Sequence, residues 1–230
     1  MGAVLDLITV LFSPGAVFER VRERPRFLAP AIVLAAAVTA LTYVLLPFYR
    51  AAMAARMAEV AQQNPNAAAQ AEKFQFIGLV FAPIGLFIGL LIAAGLLWVL
   101  VTVLAGGDAK FKTLLSVATY TAVPSVLLQV AGLIVLKMKG VEAVTAPEDL
   151  RPPLGLNLLT PDATGFAGAL LSGINPFAVW GMILTAIGIQ VTHKTSKGAA
   201  YTVAIVAMLL GVLIGALFAG LGSRGATPAG

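Results

Sequence analysis

Residues able to do chemistry are few in this chain and lie far apart. There is no cysteine, and the single histidine, His193, stands in a short basic stretch near the carboxyl end. The lack of cysteine excludes disulfides, thiolate metal sites and cysteine nucleophiles. One histidine without a second nearby ligand is far more often a loop residue than a zinc ligand. The sequence therefore predicts neither a metal site nor a cofactor.

The groups that intramembrane proteases need are also missing. Metalloproteases require paired histidines with an acid, aspartyl proteases require two intramembrane aspartates, and serine proteases require a base for the nucleophile. A remaining candidate is an outer-loop group made by Asp149, Arg151 and Asp162, but no spacing among them favours catalysis. We predict that the protein is not an enzyme.

Most of the chain consists of five stretches without Asp, Glu, Lys, Arg or His, at 27–49, 74–107, 113–136, 163–192 and 198–223. Each exceeds the ~20 apolar residues that a helix needs to cross ~30 Å of hydrocarbon. Backbone in lipid must satisfy its own hydrogen bonds, so runs this long are helices. A β-barrel would instead show alternating segments of ~10 residues. The fold class is predicted to be all-α, a polytopic transmembrane bundle of five helices in one domain.

The predicted transmembrane domain covers 27–223, before a short tail at 224–230, with spans at about 27–46, 76–104, 114–136, 175–191 and 199–221. Pro47 is expected to end the first span, and Pro124 to kink the third. Gly106 and Gly107 form a natural stop for the second span. A helical extension is expected at 51–61, and a half-buried interfacial helix at 165–174.

Residues 1–26 read as two amphipathic pieces hinged at Ser13-Pro14-Gly15. Ser13 can cap the second piece, and Pro14 suits its first helical position. Val17, Phe18 and Val21 share an apolar face, with arginines pointing away from it. This pattern predicts an amphipathic interfacial segment in the membrane plane before the first span. It serves either as a topogenic anchor or as a surface platform for a partner.

Orientation follows from lysine and arginine. Four arginines at 20, 22, 24 and 26 precede the first span, and two short turns carry further lysines. Such clusters favour the cytoplasmic side, so we expect the amino terminus inside and, after five crossings, the carboxyl terminus outside. The expected location is a bacterial cytoplasmic membrane. The net charge of +5 lies beside the spans, which predicts contact with anionic head groups and no nucleic-acid partner.

Polar residues inside the spans are mild, and ionisable groups are absent there. Ion-coupled transporters usually keep such a group near the midplane. Hydroxyls and amides in the third span are interpreted first as packing contacts between helices, with a small-solute pathway as the alternative. Close helix packing is also predicted at Gly85, Gly89, Gly211 and Gly215, two pairs with GxxxG spacing. That packing fits one chain or a homo-oligomer.

Three motifs follow one another along the chain. They are Phe12 to Phe18 with Pro14, then Gly106-Gly107 with Phe111 to Ser116, Tyr120 and Pro124, then Asn175-Pro176-Phe177 with Trp180, Gly188 and Lys197. Their order and spacing resemble the bacterial branch of the Yip-domain family, named for membrane proteins that interact with Ypt/Rab GTPases. The resemblance covers essentially the whole chain.

The resemblance implies a five-helix membrane domain with a cytoplasmic amino terminus. Eukaryotic members are implicated in trafficking and membrane shaping through partner proteins. Rab binding is not predicted for this chain, which lacks their long soluble amino-terminal region. The motif residues also have structural explanations: glycines 106 and 107 end a helix, Phe111 and Trp180 suit the interface belt, and Pro124 kinks a span.

A docking face is the functional interpretation of these segments. Its candidate residues are Phe12, Pro14, Phe18, Lys110, Phe111, Lys112, Lys194 and Lys197, all on one side of the bilayer in the predicted topology. The sequence thus predicts a scaffold or membrane-organisation factor that binds the bilayer and a membrane or cytoplasmic protein. The alternative is a permeation or lipid-translocating protein.

Overall fold

The described part of the protein is all-helical. A computed structural model describes residues 2–63, 65–106, 108–151 and 153–224, with side chains throughout except at 55–57, 59–61, 63–80, 82 and 221–224. These residues contain no strand. The predicted tail beyond Arg224 lies outside the described residues.

Nine α-helices are present in the described ranges: α1 Gly2–Thr9, α2 Pro14–Glu23, α3 Leu28–Gln63, α4 Pro65–Ala105, α5 Phe111–Thr121, α6 Val123–Lys139, α7 Gly165–Gly173, α8 Pro176–His193 and α9 Lys197–Arg224. Short 3₁₀ turns occupy Val141–Ala143, Pro147–Leu150 and Leu156–Leu158. Within the described residues five segments are long and apolar enough to cross a membrane: Leu28–Ala54, Pro83–Ala105, Phe111–Lys139, Pro176–His193 and Lys197–Gly220. The all-α, five-span prediction is confirmed.

Prolines act differently along these helices. The expectation that Pro47 ends a helix is wrong, since α3 continues through it to Gln63. A helical proline removes one backbone donor, and the alanine-rich sequence after Pro47 favours continued helix. Pro83 likewise lies inside α4. The third span is interrupted between α5 and α6, and Pro124 is the second residue of α6, a position where its missing N–H costs little.

The chain forms two compact units. Unit 1 contains Met1–Val33, Ile88–Ser125 and Pro153–Gly230, and unit 2 contains Leu34–Phe87 and Val126–Pro152. In unit 1, α2 packs on α8 and α5, while α7 and α8 both pack on α9. A Cβ on Gly173 would lie 2.6 Å from Val212, and one on Gly220 would lie 3.1 Å from Phe166. Because the start of α7 contacts the later part of α9 and the end of α7 contacts an earlier part, the two helices are antiparallel. The absence of side chains at these two glycines lets the helices approach closely.

The four glycines with GxxxG spacing are not the close-contact glycines of the fold. A Cβ on Gly85, Gly89, Gly211 or Gly215 would meet no atom of another described residue within 4 Å. Close approach occurs instead at Gly155, Gly173, Gly188 and Gly220. Packing of the GxxxG pairs between two copies stays a prediction.

Unit 2 has its own core of Leu45, Phe48, Ala52, Leu136 and Val144. The loop after α6 is organised by Asp149, whose Oδ2 accepts hydrogen bonds from the backbone N–H groups of Thr145 at 2.8 Å and Ala146 at 2.9 Å. These bonds favour the carboxylate and hold the pKa of Asp149 below its usual value.

We expect the 145–151 loop of unit 2 to loosen in acid. Because the folded pKa of Asp149 is lowered, its stabilisation is present above its unfolded pKa and is lost as pH falls below about 4. Hydrogen exchange of this loop, corrected for intrinsic rates, should rise over that range in the wild type. Asp149→Asn should already exchange faster at neutral pH and show little further change; identical profiles for the two proteins would contradict this account.

Candidate functional site

The apolar face of α2 is buried in the protein. Val17 and Phe18 are 0% exposed and Val21 is 3% exposed, where α2 contacts α8 and α5. Gly188 of α8 makes this fit possible, because a Cβ there would lie 3.1 Å from the Phe18 ring and 2.8 Å from Val117. The prediction that this face lies on lipid is therefore wrong. Phe18 is also withdrawn from the docking candidates, since a fully buried ring cannot meet a partner.

An ion pair joins α1 to α2. Arg20 donates through Nε, at 3.3 Å, and through Nη2 to the two carboxylate oxygens of Asp6. The Asp6 side chain is 13% exposed and that of Arg20 is 51% exposed. The hydrogen bonds to Asp6 raise the pKa of Arg20 above its usual value. Sequence analysis placed Arg20 among the arginines that point away from the apolar face and missed this pair. Its signal in the sequence is Asp6, the lone acid in the apolar first piece.

The hinge between α1 and α2 has no side-chain cap. Pro14 occupies the first helical position as predicted, but Ser13 makes no capping hydrogen bond. The turn is held instead by the backbone, with the N–H of Ser13 donating to the Thr9 carbonyl at 2.8 Å. The Asp6–Arg20 pair therefore supplies the side-chain link across this hinge.

Tyr120 attaches α1 to α5. Its side chain is 1% exposed, and its hydroxyl donates to the Ala3 carbonyl at 3.1 Å. Tyr120 ends a run of eight consecutive buried residues, 113–120. Within that run Ser116 donates to the Lys112 carbonyl at 3.0 Å and Thr119 to the Leu115 carbonyl at 2.8 Å. These hydroxyls are satisfied inside α5 and line no open groove in the described residues.

His193 links two turns. Its Nε2 accepts a hydrogen bond from the backbone N–H of Lys110 at 3.3 Å, so the neutral ring carries its proton on Nδ1, which lies 2.8 Å from Thr192 Oγ1. Trp98 Nε1 also donates to the Ala109 carbonyl, at 3.1 Å. The segment between α4 and α5 is thus held from both sides, a role that sequence analysis did not assign to His193.

Two motif positions lie at helix ends, one after the last residue of α4 and one before the first residue of α8. Gly106 follows α4 with φ +61, a conformation that glycine adopts without strain; Gly107 lies outside the described residues. Asn175 caps α8, its Oδ1 accepting from the Ala178 N–H at 2.9 Å, and Pro176 is the first helical residue. Phe177 and Trp180 are half-buried on α8. These positions have structural roles.

The contacts gather several docking candidates at one end of unit 1. Lys110, Lys112, Lys194 and Lys197 are exposed; we call these four the basic face. Phe111 is 42% exposed beside them, and Pro14 is half-buried. Lys194 has a left-handed backbone, φ 52, while the Lys197 ammonium lies 5.9 Å from the Tyr201 ring centroid.

The outer side of α1 and of the turn after it is apolar and uncovered. Leu5 is 61% exposed, Ile8 63% and Phe12 79%. They follow helical spacing opposite the buried Leu7 and Val10. Together with the basic face, these side chains make this end of unit 1 cationic and apolar. The described residues hold no group of three or more His, Cys, Asp or Glu suited to a metal ion.

Comparison with known proteins agrees with this architecture. The family model described as the Yip1 domain matches residues 8–219. The chain belongs to the Yip1 domain family. This Yip1-domain chain is also 29% identical over 226 residues to "Membrane protein YknW" of Bacillus subtilis (strain 168), covering 94% of this chain and 90% of that protein. No solved structure matches.

Family membership confirms the resemblance predicted from the three motifs. It also agrees with the five candidate spans in identifying a membrane protein. Within this Yip1-domain chain, motif residues Tyr120 and Gly188 are the positions against which the amino-terminal helices pack.

Filling the gap at Gly188 should destabilise the Yip1 domain. Gly188→Ala puts a methyl group against Phe18 and Val117, and overpacking of this kind costs about 1–3 kcal/mol. Gly211→Ala in α9 is the matched control: its Cβ meets no other described residue, and alanine favours helix by up to ~1 kcal/mol. Thermal unfolding in detergent would show the difference, and Phe18→Leu should partly rescue Gly188→Ala. Equal melting of both alanine variants would refute the contact.

Removing Asp6 should release α1 without unfolding the bundle. Because Arg20 is half exposed, the loss of global stability should be below about 1 kcal/mol. Amide exchange in residues 2–12 should nevertheless rise in Asp6→Ala. Glu19→Ala is the control, since Glu19 is an exposed acid on α2 without an ion pair to any described residue. If the two variants exchange alike, the pair does not hold α1.

Proposed function

We propose that this Yip1-domain protein is a non-enzymatic membrane scaffold or membrane-organisation factor that works through protein or lipid partners at the basic face. The observation that carries the proposal is the connection of three segments distant in sequence. Phe18 against Gly188 joins α2 to α8, the Tyr120–Ala3 bond joins α1 to α5, and the Lys110–His193 bond joins the two lysine-bearing turns. A rigid end that presents four exposed lysines is suited to docking.

The proposed topology places this end in the cytoplasm. Residues 1–26, the 106–110 segment and the 194–196 turn precede or separate alternate spans, so five crossings put them on one side. Their lysines and arginines favour the inner side. We propose a bacterial cytoplasmic membrane, in keeping with a Bacillus subtilis relative named as a membrane protein, and 27–223 as the transmembrane domain with 224–230 as a tail.

Packing of α5 favours a scaffold over a permeation or lipid-translocating protein. A solute pathway along the third span would need polar side chains on a continuous groove. Residues 113–120 are buried instead, and the Ser116 and Thr119 hydroxyls bond to carbonyls of their own helix. Reconstituted vesicles should accordingly show no flux above protein-free vesicles.

Crosslinking in native membranes tests the docking proposal. A Lys194→Asn/Lys197→Gln variant removes two charges from the basic face, and asparagine tolerates the left-handed backbone at 194. The matched control is Lys137→Gln/Lys139→Gln, which removes two exposed lysines from the end of α6. We expect a discrete crosslinked species with wild type and control that falls about tenfold with the basic-face variant, as for loss of two charged contacts. Equal yields from the two variants would contradict docking at this face.

A further inference from the structure

Two adjoining cavities lie where the amino-terminal helices meet the first and third spans, all within unit 1. One has a volume of about 280 Å³ and the other about 510 Å³. Ala3 and Arg26 line both. We call the first the charged lobe and the second the apolar lobe. The apolar lobe is of the size that small-molecule sites occupy, and the charged lobe adds a smaller volume beside it.

The cationic side chains that line the charged lobe outnumber the carboxylates that line it. It is lined by Asp6, Arg20, Glu23, Arg24 and Arg26, together with Tyr120 and small residues. Arg20 is already paired with Asp6. Arg24 and Arg26 are exposed and form no ion pair with any described residue, and Glu23 is the one further carboxylate. The lobe is therefore suited to an anion with several oxygen acceptors.

The apolar lobe lies at the start of the membrane spans. Its lining includes Phe27, Leu28 and Ala29, and Leu28 begins the first candidate span. Lys112, the second residue of the third span, adds a cation to this lining. A cavity with an apolar lining beside two span ends and cations at its border matches the level where lipid acyl chains meet head groups.

We propose that the paired lobes bind an anionic phospholipid of the surrounding membrane. The guanidinium groups of Arg24 and Arg26 donate to the phosphate oxygens, for which their planar fork is suited. Lys112 adds a point charge, and the apolar lobe takes the first part of an acyl chain. The exposed apolar side of α1, with Leu5 and Ile8, extends the lipid-facing surface. This inference deepens the proposed function by naming a lipid partner beside the basic face.

Lipid is favoured over a soluble anion by the geometry of the apolar lobe. A free phosphate would use the arginines but gain nothing from Phe27, Leu28 and Ala29. A phospholipid uses both lobes at once, and burial of each acyl CH₂ adds favourable free energy. Binding of a phospholipid therefore depends on the apolar lobe, whereas binding of free phosphate does not.

Lipid binding to the purified protein tests the proposal. Because no partner protein is present, the result does not depend on whether a protein docks at the basic face. Phosphatidylglycerol and phosphatidylcholine are titrated in detergent at low ionic strength, with native mass spectrometry counting bound lipid. Wild type should prefer phosphatidylglycerol. Arg24→Gln/Arg26→Gln should weaken that lipid about tenfold or more, as expected for two interfacial cations. Arg26→Lys should retain part of the preference, and melting temperatures verify folding of each variant.

Two controls separate charge from position and lipid from phosphate. Lys137→Gln/Lys139→Gln removes the same net charge elsewhere and should bind as wild type. Ala29→Trp fills the apolar lobe and should reduce binding of the lipid, whereas Ala36→Trp, at an exposed position two turns further along α3, should not. Inorganic phosphate is added as competitor.

The outcomes decide the proposal in either direction. Loss of phosphatidylglycerol binding in the arginine variant and in Ala29→Trp, with both controls intact, supports it. Equal binding of the two lipids, or equal effects of the arginine and lysine variants, overturns it. Displacement by millimolar inorganic phosphate with no effect of Ala29→Trp assigns a soluble anion instead. Failure of the basic-face crosslinking leaves these lipid measurements unaffected.

Discussion

The contact between Phe18 and the gap at Gly188 is the constraint on which the organised end of unit 1 depends. Glycine at 188 lets the Phe18 ring of α2 lie against α8, and Val117 of α5 also lies close to this position. An amphipathic helix of this kind usually lies on lipid, but here its apolar face is covered by protein. Burial of Val17, Phe18 and Val21 therefore fixes α2, and α1 follows through Asp6–Arg20 and Tyr120.

Fixing α2 in this way turns its polar side outward and concentrates cations where spans begin. The Asp6 carboxylate takes one arginine, while Arg24 and Arg26 remain on the charged lobe. Lys112 brings a further cation from the third span to the same neighbourhood. A basic cluster built on packed helices keeps its geometry, whereas the same residues on a loose amino-terminal arm would pay conformational entropy on binding. The packing of α2 therefore bears on how well its basic residues can bind a partner.

The third span shows how polar residues can serve packing in a Yip1-domain protein. Thr113, Ser116 and Thr119 are buried. The hydroxyls of Ser116 and Thr119 bond to carbonyls one turn earlier, which offsets the cost of removing them from water. Small hydroxyl residues also let neighbouring helices approach closely. The polarity of α5 is therefore compatible with a packed helix in unit 1, and α6 begins at Val123 after the break at Ala122.

Sequence alone determined the membrane class and the five spans, because hydrocarbon admits no unpaired backbone and long runs without ionisable residues must therefore be helical. The order and spacing of the three motifs indicated the family. The sequence also placed helix ends at Gly106 and Asn175, where local chemistry decides the backbone. What lies opposite an amphipathic face is set by residues far away in the chain. Only the tertiary structure decided that Phe18 meets Gly188, that Asp6 meets Arg20, and that His193 holds Lys110. A local pattern indicates that a helix face is apolar, but either protein or lipid can cover such a face. Which of the two covers it depends on the shape of a partner helix far away in the sequence.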